Sequence, residues 1–203
     1  MRHRGFRNAT FSSAISFRNS WSGKYLMKRV IFLDRDGVIN RKPPEGQYVT
    51  RWEEMQFLPG VAEAIRLMVQ AGFCVMVVSN QRGVAKGLLT IDELELLHNW
   101  MCQELASSGA VITSVYYCPH EERPACSCRK PAPGMLLRAA REHHIDLTAS
   151  WMIGDSDRDV EAGRSAGCRT ARILNPSELS SVTANVFAQS LLEVTRQILL
   201  AHR

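Results

Sequence analysis

Residues 30–39 read VIFLDRDGVI, and this stretch determines the fold that we predict. The uninterrupted apolar run at its start indicates a strand buried on both faces, which is typical of parallel sheets. Two aspartates and a glycine follow the run directly. Because a buried carboxylate is unfavourable unless something compensates its charge, we expect a cation at this strand end.

Further apolar runs alternate with helical patterns along the chain. The predicted strands cover residues 28–33, 73–79, 111–118, 150–155 and 168–174. Helices are predicted after Pro59-Gly60, Thr90 and Pro133-Gly134, from residue 157, and over residues 184–200. Such alternation predicts βαβ units, and therefore an α/β fold of the Rossmann-like three-layer type with a central, mostly parallel sheet.

Local signals mark two helix ends. Gly72 is predicted just past the end of the first helix, where glycine accepts a positive φ. Thr90 with Glu93 three residues later has the pattern of a capping box, in which side chain and backbone at a helix start satisfy each other. These signals support the helix assignments on either side of the second strand.

Polar residues follow the predicted strands. Ligands bind at the carboxyl ends of parallel strands, so these groups are expected to meet at one edge of the sheet. They are Asp34 and Asp36 after the first strand, Ser79 after the second, Lys130 before a helix, and Asp155 and Asp159 after the fourth strand. A cluster of carboxylates suits Mg²⁺, which takes oxygen ligands and keeps waters for a phosphate substrate.

This set of side chains suits phosphoryl transfer. Asp34 is placed to attack phosphorus and form an aspartyl-phosphate. Asp36 can protonate the leaving oxygen and later deprotonate water. Ser79 and Lys130 would stabilise the phosphoryl oxygens. We expect Asp159, one helical turn beyond the metal aspartate, to act only indirectly, by orienting a ligand or a metal-bound water.

A second cluster lies in residues 118–128, which read CPHEERPACSC. Its three thiols and one imidazole suit tetrahedral zinc, and four protein ligands would make the site structural. The candidate ligands are Cys118, His120, Cys126 and Cys128. A pair of redox thiols is the alternative. Because the stretch leads directly into Arg129 and Lys130, zinc would fix the loop that delivers these two cations.

The sequence resembles the haloacid-dehalogenase (HAD) superfamily of phosphohydrolases. Its four motifs occur in order: DRDGV, an apolar strand ending in Ser79, Lys130, and GDSDRD. The resemblance extends from residue 28 to about residue 175 and implies a HAD-like fold. The gaps between the motifs leave no room for a cap domain, so short loops must supply specificity and exclude water.

Within the superfamily the chain looks like the heptose 1,7-bisphosphate phosphatases, which are close to histidinol-phosphate phosphatases. The matching stretches are DRDGVIN, SNQRGVAKG, YYCPH, CSCRKPAPGML and MIGDSDRD. The resemblance implies removal of the 7-phosphate from a bacterial sugar bisphosphate, with Mg²⁺ for the chemistry and zinc for structure. It further implies that Asp34, Asp155 and the backbone carbonyl of Asp36 hold Mg²⁺, and that Asn80, Gln81, Arg82, Arg129 and Tyr48 contact substrate.

Two positions depart from the family pattern. Ser79 stands where threonine is common, and its hydroxyl preserves the expected role. Ser156 stands where some relatives carry lysine, which removes one substrate contact and leaves the anomer preference open.

Three other functions remain open at this stage. A histidinol-phosphate phosphatase would use the same residues. A polynucleotide 3′-phosphatase shares the DxDG chemistry, but it requires a basic groove interleaved with aromatic residues, which residues 28–203 lack. A non-catalytic interaction module would have no reason to combine both aspartates with Ser79, Lys130 and Asp155.

The bulk composition fits one domain. The 203 residues are 45% apolar, and no apolar run approaches the roughly 20 residues that span a bilayer. We therefore expect a soluble protein. The family resemblance, together with thiols that look metal-bound rather than oxidised, implies a cytoplasmic monomer that acts on a small phosphosugar, without nucleic acid or membrane. The scattered Cys74, Cys102 and Cys168 are interpreted as small core residues.

The net charge of +5 belongs to the N-terminus. Residues 1–26 contain no acidic residue and five basic ones, namely Arg2, Arg4, Arg7, Arg18 and Lys24. That composition also occurs in organellar transit peptides. We favour a basic extension over residues 1–27, disordered or not native, with Met27 as the start, followed by a HAD-like phosphatase domain over residues 28–203.

Overall fold

The computed structural model describes residues 27–174 and 182–201. At its centre lies a six-stranded sheet: β1 Val30–Leu33, β2 Cys74–Asn80, β3 Ser114–Cys118, β4 Trp151–Gly154, β5 Arg169–Ile173 and β6 Val186–Ala188. The strands are ordered β3-β2-β1-β4-β5-β6, and every neighbouring pair is parallel. Strands β1 and β4 are therefore central, and their carboxyl ends lie side by side.

The α-helices of the described residues cover both faces of this sheet. They are α1 Val61–Gln70, α2 Ile91–Ser107, α3 Gly134–His143, α4 Asp157–Ala166 and α5 Leu191–Leu200. Helices α1, α2 and α5 contribute to one hydrophobic core, and α3 and α4 contribute to the other. The result is the predicted three-layer α/β sandwich.

Strand β1 shows why its sequence is apolar at every position. Ile31 and Leu33 pack into the core with α1 and α2, while Val30 and Phe32 pack into the core with α3 and α4. All four side chains are fully buried. A polar residue at any of them would be buried without a partner, which is unfavourable on either face.

The predicted elements are largely confirmed. All five predicted strands form, although β3 begins at Ser114 rather than at residue 111. Thr90 caps α2, with its hydroxyl accepting from the Glu93 amide and the Glu93 carboxylate accepting from the Thr90 amide. Gly72 follows α1 with a φ of +82°, as predicted.

The prediction of one continuous helix over residues 184–200 was wrong in its first part. Val186–Ala188 forms β6, which pairs with β5 at the edge of the sheet, and α5 begins only at Leu191. Three residues are too short to show a strand period, so the pairing with β5 decides the conformation. The predicted extension over residues 1–27 lies outside the described residues except for Met27.

The connections between the site-bearing strands are short. Between Asp36 and Ser79 the chain forms a loop, the 3-10 turn Trp52–Glu54 and α1. Between Ser79 and Lys130 it forms α2, β3 and the cysteine-rich loop. Neither connection contains a cap domain. In the part of the chain that the structure describes, no helix has the length and apolar character needed to cross a membrane.

Candidate active site

Asp34 and Asp36 occupy the turn that follows β1. Gly37 makes this turn possible, because its φ is +87° and a Cβ atom there would overlap the carboxylate of Asp155. Only glycine combines that backbone conformation with so close an approach. The turn therefore brings the end of β1 against the end of β4.

Lys130 is the central cation of the site. Its ammonium lies 2.8 Å from Asp34 Oδ1 and 2.5 Å from Asp159 Oδ1, and it donates a 2.8 Å hydrogen bond to the Val78 carbonyl. Burial alone would lower the pKa of Lys130, but the charges of Asp159 and Asp34 outweigh burial and raise it. Lys130 is therefore a permanently charged group at the edge of the sheet.

Three carboxylates converge beside this lysine. Single oxygens of Asp34, Asp155 and Asp159 all lie within 4.8 Å of one another. Burial, together with the charges of Asp159 and Asp155 and against that of Lys130, raises the pKa of Asp34 to about 7. Such crowded negative charge in a buried position is the donor set that a hard divalent cation stabilises, so the residues fit Mg²⁺.

Asp36 lies outside that group of converging carboxylates and has its own donors. The Arg35 guanidinium donates to both of its oxygens, at 2.9 Å and 3.0 Å. The Asn40 side-chain amide donates to Oδ1 at 2.9 Å, and the Gln81 amide lies 3.3 Å from Oδ2. The carboxylate of Asp36 is thus fixed beside the carboxylate cluster, not within it.

The end of β2 adds a buried hydroxyl and an amide clamp. Ser79 is buried, and its Oγ accepts a 2.8 Å hydrogen bond from Gln81, which also reaches Asp36. The Asn80 side chain donates to the Lys130 carbonyl and accepts from the Lys130 amide, both at 3.0 Å. Asn80, which we predicted to contact substrate, thus holds the backbone of Lys130 against β2.

The cysteine-rich loop brings its four candidate metal ligands together. The sulfur atoms of Cys118, Cys126 and Cys128 lie 3.1 to 3.5 Å apart, and His120 Nδ1 lies 3.2 Å from Cys128 Sγ. Hydrogen bonding from Cys128 lowers the pKa of the Cys118 thiol well below its ordinary value. Three thiols and one imidazole nitrogen in this arrangement fit a tetrahedral zinc ion.

A cavity of about 570 Å³ opens between this loop and α4. Its walls include Lys130, Arg129, Arg158 and Glu122. The Glu122 carboxylate lies 3.3 Å from Arg129, 3.6 Å from Arg158 and 3.9 Å from Arg82. Lys130, Arg129 and Arg158 thus line the cavity. The guanidinium groups of Arg129, Arg158 and Arg82 form an arginine ring around the Glu122 carboxylate.

Tyr48 lies beside the loop between β2 and α2. Its ring is 5.2 Å from the Lys86 ammonium, and it packs close to Gly83. Tyr48 does not line the 570 Å³ cavity. The structure therefore gathers the predicted substrate-contacting residues into two groups, with Arg129 in the cavity wall and Tyr48 beside the β2–α2 loop.

Three charged residues of the site were not singled out from the sequence. Arg35 holds Asp36, Arg158 borders the cavity, and Lys42 lies 2.8 Å from Asp155 Oδ2. Arg35 lies within the motif DRDGV and Arg158 within the motif GDSDRD. Their position inside these motifs was the sequence signal that could have identified them as site residues. Lys42 belongs to a loop without a recognisable pattern.

The site combines three features at one edge of the sheet: a central strand that ends in an aspartate, a buried lysine and a cluster of carboxylates. Together these features define a phosphohydrolase-type α/β site. The family model for HAD-hydrolase-like proteins matches residues 127–183. A protein named D-glycero-beta-D-manno-heptose-1,7-bisphosphate 7-phosphatase from Photorhabdus laumondii is 37% identical over 181 residues, 83% of this chain and 94% of that protein. The relative of that name from Rhodopseudomonas palustris is 46% identical over 143 residues, 67% of this chain and 78% of that protein.

A solved structure agrees with these relatives. The D,D-heptose 1,7-bisphosphate phosphatase of B. bronchiseptica, complexed with magnesium and phosphate, superimposes with a TM-score of 0.77 at 34% identity. The match covers 85% of this chain and 99% of that one. The chain therefore belongs to the heptose-bisphosphate phosphatase family, whose members are phosphoric monoester hydrolases with the HAD-like fold.

Proposed function

We propose that the protein removes the 7-phosphate of D-glycero-β-D-manno-heptose 1,7-bisphosphate through an aspartyl-phosphate on Asp34. The observation that carries the proposal is the contact of Asp34 with Lys130, 2.8 Å apart at the end of β1. The names of the relatives support the substrate and its β anomer. The reaction would serve the synthesis of nucleotide-activated heptose for the lipopolysaccharide core or an S-layer.

In the first step, an oxygen of Asp34 attacks phosphorus while the bond from phosphorus to the sugar oxygen breaks. Protonated Asp36 gives its proton to that leaving oxygen. Lys130 and the Ser79 hydroxyl stabilise the charge on the phosphoryl oxygens, because both lie buried at the same sheet edge, where electrostatic interactions are strong.

In the second step, Asp36 takes a proton from water, and the resulting hydroxide attacks phosphorus. The bond between phosphorus and Asp34 breaks and inorganic phosphate leaves, which restores both aspartates. Gln81 suits this role change because its amide contacts both Ser79 and Asp36. It would hold the two groups in place whichever protonation state Asp36 has.

Asp34, Asp155 and the backbone carbonyl of Asp36 would hold Mg²⁺, with Asp159 contributing indirectly. Bound there, the ion would neutralise phosphoryl oxygens during transfer. The magnesium and phosphate in the B. bronchiseptica structure support this assignment. The three converging carboxylates are the structural reason to expect it.

The distal phosphate of the substrate would lie in the cavity beside Lys130. Arg129 is the best-placed group to receive it, because its side chain is only 11% exposed and lies in the cavity wall. Arg158 and Arg82 lie beside the same anion-binding region, since both are close to the Glu122 carboxylate. Guanidinium groups suit phosphate because they donate in pairs.

Zinc at Cys118, His120, Cys126 and Cys128 would serve structure. The loop begins directly after β3 and ends one residue before Arg129. Closing it with a metal would fix where Arg129 and Lys130 enter the site. The cysteines of the described residues are free thiols, which is consistent with a cytoplasmic protein, and we propose that the protein acts there as a monomer.

The direct test is phosphate release in the presence of Mg²⁺ from a small substrate panel. The panel contains both anomers of heptose 1,7-bisphosphate, histidinol phosphate and a 3′-phosphorylated oligonucleotide. We expect kcat/KM for the β anomer to exceed the others by at least about a hundredfold, near 3 kcal/mol of transition-state preference. A flat profile, or a preference for histidinol phosphate or DNA, would overturn the substrate assignment.

A further inference from the structure

A buried arginine connects the site to the middle of helix α2. Arg35 is among the largest fully buried side chains of the described residues. One side of its guanidinium faces Asp36, with Nη2 at 2.9 Å from Oδ2 and Nε at 3.2 Å from Oδ1. The remaining nitrogen, Nη1, lies 3.3 Å from Nε2 of His98. Arg35 thus lies between a carboxylate and an imidazole.

The chemistry of this contact fixes the state of His98. A guanidinium has only donors, so His98 Nε2 must accept and its proton must be on Nδ1. Burial and the charge of Arg35 both lower the pKa of His98 well below its ordinary value, so the ring is neutral. His98 therefore gives the buried Nη1 the acceptor that it needs.

The imidazole is held by packing, since its Nδ1 has no hydrogen-bond partner among the described residues. His98 is fully buried in α2, and its ring centroid lies 5.6 Å from that of Tyr117 on β3. The Tyr117 hydroxyl donates a 2.8 Å hydrogen bond to Glu95, which lies one turn before His98 on α2. The position of His98 is thus set by a helix and a strand that do not contain Asp36.

We propose that His98 is a positioning residue for the general acid and base Asp36, acting through Arg35. This inference rests on the proposed roles of Asp34 and Asp36. With its third nitrogen, Nη1, hydrogen-bonded to His98, Arg35 presents Nε and Nη2 to Asp36 in one orientation. Without the imidazole, Nη1 would be buried without an acceptor, so the guanidinium would turn toward another one. Asp36 would then lose the orientation needed to protonate the leaving oxygen.

The dependence on the leaving group separates positioning from a merely structural role. An alkyl phosphate such as a sugar phosphate needs a proton on its leaving oxygen, whereas p-nitrophenolate leaves without one. For each variant, kcat/KM is measured with p-nitrophenyl phosphate and with the alkyl phosphomonoester that the wild-type protein hydrolyses with the highest kcat/KM. For His98→Leu we expect kcat/KM to fall about tenfold with the alkyl ester and less than about twofold with the aryl ester, because kcat/KM reports only the steps up to cleavage of the ester bond, and the later hydrolysis is common to both substrates.

Two further variants make the test specific. His98→Gln keeps an acceptor near Nε2 and is expected to restore most of the alkyl activity. Cys102→Ala, one turn further along the buried face of α2, removes core packing and is expected to leave the ratio of alkyl to aryl activity unchanged. Thermal unfolding is recorded for each variant, and His98→Met replaces the leucine variant if that protein does not fold.

Equal losses of kcat/KM with the alkyl and the aryl ester in His98→Leu would overturn the inference. A glutamine variant with the same kcat/KM values as the leucine variant would also overturn it. Failure of the proposed function is a different result, because it appears in the wild-type protein on the substrate panel. A wild-type protein that prefers another alkyl phosphate still permits this comparison.

Discussion

The carboxylate cluster at the end of β1 and the arginine ring around Glu122 differ most in exposure, although Arg129 within the ring is only 11% exposed. Lys130 and Asp159 are 2% and 1% exposed, whereas Glu122 and Arg158 are 53% and 57% exposed. Charges interact strongly when they are buried and are screened by water and salt at the surface. The cluster therefore suits the chemical step, and the ring suits recognition of a charged substrate.

The two regions share elements of the fold but are fixed differently. The buried cluster draws on the ends of β1 and β4, which are locked by sheet pairing and by the close approach at Gly37, and on Asp159 in the first turn of α4. The arginine ring draws on that same turn through Arg158, on the end of the cysteine-rich loop through Arg129 and on the β2–α2 loop through Arg82. Substitution of a ring side chain is thus expected to alter substrate choice more than the chemical step, whereas displacement of the cysteine-rich loop is expected to affect both, because Lys130 directly follows Arg129.

Asp34→Asn gives the largest expected effect. The amide cannot serve as the nucleophile, so turnover should fall by at least about a thousandfold. The measurement is phosphate release with Mg²⁺, and thermal unfolding confirms that the variant remains folded. Retained activity in a folded variant would remove Asp34 from the nucleophile role.

Removal of zinc should have an intermediate effect. Replacing Cys126 by serine, or treating the protein with a chelator, takes away one ligand or the metal. We expect a lower unfolding temperature and roughly a tenfold loss of activity, because the loop would no longer fix Arg129 and Lys130. Metal analysis of the purified protein is the check. Cys168→Ser, a buried cysteine outside the cluster, is the control, and a protein without bound zinc would contradict the assignment.

Arg158→Gln and Glu122→Gln form a matched pair with smaller effects of opposite sign. Arg158→Gln removes a cation and should raise KM for a bisphosphate by about threefold. Glu122→Gln removes a competing carboxylate and should lower KM by a similar factor. The kcat values should not change, because neither residue contacts the buried cluster. Equal shifts of KM with a monophosphate substrate would show that the arginine ring does not bind the distal phosphate.

Deletion of residues 1–26 should change least. The truncated chain loses the five basic residues that account for the net charge, so its isoelectric point should fall. Activity and unfolding temperature should match those of the full chain, because the predicted phosphatase domain starts at residue 28. A marked loss of activity would show that the domain boundary is wrong.

The sequence was sufficient for the parts that depend on local pattern and on the geometry of parallel sheets. Continuous apolar runs indicated β1, β2 and β4, and parallel strand ends meet at one edge, so Asp34, Ser79 and Asp155 were expected near one another. Lys130 was added because it stands just before a predicted helix, and the order of the motifs supported it. The short strand β6 was not predicted, because three residues are too few to show the alternation of side chains in a strand.

Contacts between distant residues could not be predicted in this way. The Arg35–His98 contact joins positions 63 residues apart, and the Asn80–Lys130 clamp joins positions 50 residues apart. No single element shows either pairing, because each depends on how α2 and the cysteine-rich loop pack against the sheet. The sequence analysis therefore assigned no role to Arg35, whereas the structure makes it the buried partner of Asp36.

The most direct test of the central claim is phosphorus NMR of D-glycero-β-D-manno-heptose 1,7-bisphosphate during reaction with the wild-type protein and Mg²⁺. The two phosphates have distinct signals, so each can be followed separately. Our account predicts that the signal of the 7-phosphate disappears while inorganic phosphate appears, and that the 1-phosphate signal persists as heptose 1-phosphate. Loss of the 1-phosphate first, or no reaction by a folded, metal-loaded protein, would contradict it.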